Sequence, residues 1–164
     1  METTHKHSSH TTHSTHSNNY KKLFWMAILS YVAMYILMYS MVDSFQNVIN
    51  NINQIYMAGV MAAPMIIIEL ILMKSMYQNK KLNILIAAIS VLLFILFFLG
   101  IRRQAAVSDK QFIKSMIPHH AAAILMVKET ALEDPELQKL AKDIISAQQK
   151  EIDFMKAKLK ELEK

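Results

Sequence analysis

The chain has 164 residues, is 53% hydrophobic with 2 glycines and 3 prolines, and carries a formal charge of +5. That length allows one or two small units, and the scarcity of glycine and proline argues for helices throughout. The absence of cysteine excludes disulfides, thiolate metal sites and thiol nucleophiles, and the positive charge lies beside apolar runs, as in membrane topology signals rather than nucleic-acid surfaces.

Residues 1–20 are polar and low in complexity, a composition that cannot form a core and reads as disordered. His5, His7, His10, His13 and His16 are spaced through this tail among Ser, Thr and Asn. A flexible chain can wrap several imidazoles weakly around Zn, Cu or Ni; the alternative is a solvated linker.

A transmembrane region spans 21–103. Apolar stretches at about 23–42, 56–77 and 82–101 are each long enough to cross a bilayer, the first reading as an uncleaved signal anchor. Lys21, Lys22, Lys80 and Lys81 share one side of this arrangement; the other side has Arg102, Arg103 and Lys110, with no Lys or Arg in the Asn-rich loop 43–55. The positive-inside rule therefore puts the N-terminus in the cytoplasm and the C-terminal segment outside, in a bacterial-type inner membrane or a plasma membrane.

Met26, Met34, Met38 and Met41 fall within about 120° on the first span, and Met57, Met61, Met65, Glu69 and Met76 do so on the second. A carboxyl inside a span is costly and marks a functional candidate. Together the two faces suggest a Cu(I) path or site between spans one and two. The alternative is flexible methionine packing, with Glu69 protonated and hydrogen-bonded to a neighbouring span.

The third segment, 108–164, is a helical domain. Ser108-Asp109-Lys110-Gln111 matches a Ser-x-x-Gln capping box that opens a helix to about 132, with Pro118 predicted to kink it. Asp134-Pro135 is an N-cap followed by a first-turn proline, opening a second helix to the C-terminus. The short turn between them predicts an antiparallel hairpin. A lone hairpin buries too little to be stable, so it pairs with another copy into a four-helix bundle or packs on the membrane part.

On the first hairpin helix Met116, His119, His120 and Met126 fall within about 120°. Thioethers and imidazoles are soft to borderline neutral ligands, favouring Cu(I) or its mimic Ag(I), with zinc accessible through the imidazoles alone. The second helix brings Met155, Gln148 and Glu151 to an otherwise apolar stripe, where buried polar groups need partners, and the two polar side chains would orient the histidine rings.

The pattern Asp109-x-x-Phe112-Ile113-x-x-Met116-Ile117-Pro118-His119-His120-x-x-Ala123-x-x-Met126, followed by Leu140-Ala141-x-x-Ile144-Ile145-x-x-Gln148-x-x-Glu151-Ile152-x-x-Met155, resembles domain of unknown function 305 over about 109–162. The resemblance implies a ferritin-like fold and a periplasmic copper protein linked to metal resistance, anchored by methionine-bearing spans. It also implies Met116, His119, His120, Met126 and Met155 as metal ligands.

The chain is thus expected to be all-α: three transmembrane helices followed by a soluble hairpin that binds copper for storage, delivery or tolerance, as a homo-oligomer. A di-iron enzyme is disfavoured, because neither histidine has a glutamate three residues before it. The remaining alternative is a structural or signalling membrane protein whose hairpin recruits a partner without metal.

Overall fold

The computed structural model describes residues 12–164, with side chains described from Asn18 onward. Among the described residues the chain forms five helices and no strand: α1 Thr12–Leu37, α2 Ile52–Leu72, α3 Lys80–Arg103, α4 Asp109–Glu129 and α5 Pro135–Leu162. The segments Asn18–Met41, Ile52–Leu72 and Lys80–Arg103 are long and apolar enough to cross a membrane.

Three boundaries differ from expectation. First, α1 reaches back to Thr12, into the stretch expected to be disordered. Two turns into α1, Asn19 Nδ2 donates to the Met76 carbonyl (3.2 Å) and Tyr20 Oη donates to Asn83 Oδ1 (2.7 Å). With one turn fixed, each added residue contributes a hydrogen bond at little further cost.

Second, α2 stops at Leu72 rather than near Tyr77. Met73 leaves helical geometry with its N–H still donating to the Glu69 carbonyl, and Asn79 then opens α3 by accepting from the Leu82 N–H. Met76 therefore lies off the helical face projected for it, packed instead against Leu23, Leu70 and Tyr77. Third, α4 ends at Glu129, where Thr130 Oγ1 donates to the Met126 carbonyl (2.6 Å) and the backbone turns extended. It runs without interruption through Pro118.

Helix α2 lies against both α1 and α3. Its small residues Ala58, Gly59, Ala62 and Ala63 are buried, which lets backbones approach closely. A methyl group on Gly59 would land in the Phe97 ring, and one on Gly100 would sit 3.1 Å from Tyr56, so each helix of this pair offers a glycine to an aromatic of the other.

The turn from α3 to α4 is compressed, with Gln104 (φ 48°) and Ala106 (φ 57°) both in the left-handed region. Two α2 side chains hold it: Tyr56 Oη donates to the Ala105 carbonyl (2.9 Å) and Asn53 Nδ2 to Gln104 Oε1 (2.9 Å).

Helices α4 and α5 run in opposite directions, Lys114 meeting Glu163 near one end and His120 meeting Glu151 further along. Ile117, Ile124 and Ile152 are fully buried between them, each contributing about 1.5–3 kcal/mol of hydrophobic burial. Val42 and Ile49, from the α1–α2 connection, extend this core. Gln111, expected to complete a capping box on its own helix, instead accepts a hydrogen bond from the Ile52 N–H of α2 (3.0 Å). The α4–α5 pair is thereby seated on one end of the three long helices.

Candidate metal site

Of the five residues expected to share one metal, only Met116 and His119 line a common cavity. His119 and His120, adjacent in sequence, have ring centroids 6.3 Å apart with planes 67° from parallel. The about 100° step of a helix is enough to send one ring into the α4–α5 interface and leave the other exposed.

His120 is the buried one. Its Nδ1 lies 3.0 Å from the Met116 carbonyl oxygen and its Nε2 lies 2.6 Å from Glu151 Oε2. Both ring nitrogens are thus engaged by protein oxygens, one on its own helix and one on α5. Met155 is buried in the α4–α5 core, Met126 is half exposed, and Gln148 is half-buried on α5.

Met116 and His119 remain together. They line a cavity of about 700 Å³ at the junction between the long helices and the α4–α5 pair. The cavity is also lined by Met38 and Met41 from the short 3-10 turn that follows α1, and by Met57 from the first half of α2. Four thioethers and one imidazole, from three separate elements, thus border one space. Met34, Met61 and Met65 lie outside that lining.

Asn53 and Gln104 also border the cavity, and buried Asn53 Oδ1 has no hydrogen-bond partner among the described residues. Nothing in the sequence pattern marked Asn53, Gln104 or Tyr56, since their roles depend on which helices become neighbours.

Glu69 sits three residues from the end of α2 rather than near mid-span, and accepts a hydrogen bond from Tyr77 Oη (3.3 Å) in the turn that follows. Twelve residues of helix separate it from Met57, about 18 Å at 1.5 Å per residue. It therefore belongs to the opposite end of the helix from the cavity.

His5, His7 and His10 lie outside the described residues, and His13 and His16 are described as helical backbone without side chains. Among the described residues no three histidine or carboxylate side chains gather as a metal site. Methionine and histidine side chains, where they gather, are soft to borderline donors.

The family model described as Domain of unknown function (DUF305) matches residues 69–159. The match begins in α2, about forty residues before the stretch that carried the resemblance, so it takes in α3 as well as α4 and most of α5. An uncharacterized protein of Acanthamoeba polyphaga mimivirus is 37% identical over 139 residues, covering 83% of this chain and 90% of that protein. No solved structure matches.

Proposed function

The chain belongs to the family of domain of unknown function 305, and within it we propose a membrane protein that binds a soft monovalent metal, Cu(I) or Ag(I), in storage, delivery or tolerance. The observation that carries this reading is the pairing of Met116 and His119, one helical turn apart, on the wall of a single cavity. A thioether and a neutral imidazole hold a soft d10 ion and have little affinity for Mg or Ca, which demand oxygen ligands. The metal is cargo, and the chain is a binder rather than an enzyme. The N-terminus faces the cytoplasm and the α4–α5 pair lies outside it, in keeping with the lysines at the start of the first span and in the α2–α3 turn.

The role assigned here differs by residue. His119 and Met116 ligate, His120 and Glu151 position α4 on α5, and Glu69 does not contact the metal. A second reading rests on Leu137, Leu140 and Phe154, which are 48%, 53% and 70% exposed on α5. Such an apolar surface suits another copy, completing a ferritin-like four-helix bundle, and does not compete with metal binding.

The test is a Cu(I) titration of the detergent-solubilised full chain against a competing chelator, with the five tail histidines replaced by serine so that only the folded part reports. Saturation at one Cu(I) per chain with submicromolar affinity supports the reading, as does loss of about tenfold or more in a Met116→Leu/His119→Gln variant. No binding above background in the tail-silenced chain overturns it.

A further inference from the structure

We infer that the metal site is composite, built by the membrane helices and the α4–α5 pair together, with Met38, Met41 and Met57 supplying thioethers to an ion that Met116 and His119 hold from the other side. The inference rests on the soft-metal reading above and assigns ligands that lie outside the α4–α5 pair.

Two observations carry it. Methionine makes up 13 of the 164 residues but four of the sixteen that line the cavity, so the thioethers are concentrated where the elements meet. They come from three elements: the end of α1, the first half of α2 and the first half of α4. Such a grouping is not the repeat of one amphipathic face.

The chemistry is consistent with one monovalent ion. All five donors are neutral, so the loaded site carries a net charge of +1, and Val42, Ile101, Phe112 and Pro118 give it apolar surroundings. Cu(I) and Ag(I) accept such low-charge soft sets, whereas Cu(II) and Zn(II) would remain doubly charged in an apolar space. The cavity is wider than one ion, but methionine has three rotatable side-chain bonds and can swing its sulfur inward.

A composite site has a mechanical consequence. The seat of α4 on the long helices is light, relying on the Gln111–Ile52 hydrogen bond and on Val42 and Ile49. An ion bridging Met116 and His119 to Met38, Met41 and Met57 clamps the two parts together, so binding and docking are one equilibrium.

The experiment is Ag(I) calorimetry on the full chain in detergent micelles, tail histidines again replaced. It compares the parent with Met38→Leu/Met41→Leu/Met57→Leu and with Met116→Leu/His119→Gln. Leucine keeps volume close to methionine, and far-UV circular dichroism with size-exclusion elution checks that each variant stays folded. A loss of affinity of about tenfold or more in both variants is the expected result. Unchanged affinity in the triple variant, with loss in the double, overturns the composite site while leaving metal binding by α4 intact. No heat of binding in the parent removes both.

A triple variant that misfolds leaves the parent as the arbiter, through silver K-edge absorption. Two or more sulfur neighbours around bound Ag(I) support the composite site. One sulfur or none overturns it, because Met116 is the only thioether that α4 and α5 bring to the cavity.

Discussion

His120 Nε2 lies 2.6 Å from Glu151 Oε2, a contact that joins α4 to α5 thirty-one residues along the chain. With Nδ1 against the Met116 carbonyl, the ring is fully engaged, and its sequence neighbour His119 is the imidazole left for the cavity. The two histidines therefore have opposite signatures. His120→Gln or Glu151→Gln should destabilise the α4–α5 pair by about 1 kcal/mol, discounted because Glu151 is solvent-exposed, with silver affinity changed less than about threefold. His119→Gln should do the reverse. Thermal unfolding and Ag(I) calorimetry on the same preparations separate the two.

Gly59 meets the Phe97 ring across the α2–α3 contact, with no room for a methyl group. Gly59→Ala should cost about 1–3 kcal/mol through overpacking, read as a lowered midpoint of thermal unfolding in detergent. Combining it with Phe97→Leu should recover part of that loss, because the clash is with a side chain rather than with backbone.

Ala106 holds a left-handed backbone at φ 57° in the turn from α3 to α4. Glycine adopts that region without the clash of a β-carbon, so Ala106→Gly should raise stability by about 0.5–1 kcal/mol even after the entropy of a freer unfolded chain is counted. Thermal unfolding checks the sign: a lowered midpoint would show that the turn is not under this strain.

Glu69 and Tyr77 share a hydrogen bond at the far end of α2 from the cavity. Glu69→Gln and Tyr77→Phe should therefore leave Ag(I) affinity within about threefold of the parent, since about 18 Å of helix intervenes. A large loss in calorimetry would restore Glu69 to the metal site.

Much of this architecture is legible from local chemistry. Runs of about twenty apolar residues announce the three long helices, and Asp134-Pro135 marks the start of α5, with Asp134 Oδ1 accepting from the Glu136 and Leu137 N–H groups. Asn51 and Asn79 are N-caps of the same kind, recognisable as asparagines ahead of apolar runs, and would have moved both helix starts closer to their true places.

The residue types of the candidate site stand in the sequence, and their grouping does not. A projection down one helix placed Met116, His119, His120 and Met126 on a shared face. That face is broad enough for His120 to enter the α5 interface while His119 borders the cavity. Nor does periodicity within a span tell which end of it meets another element: Met38, Met41 and Met57 are distinguished from Met34, Met61 and Met65 by lying near the seat of α4. Gln111 shows the same limit, its side chain engaged by Ile52 rather than by its own helix start.

The most direct measurement of the central claim is copper K-edge absorption of the full, tail-silenced chain loaded with one equivalent of Cu(I) in detergent. A low-coordinate ion with at least two sulfur neighbours and one nitrogen, the nitrogen disappearing in His119→Gln but not in His120→Gln, is the predicted result. Ligation by nitrogen and oxygen alone, or a spectrum indifferent to His119, would contradict the account.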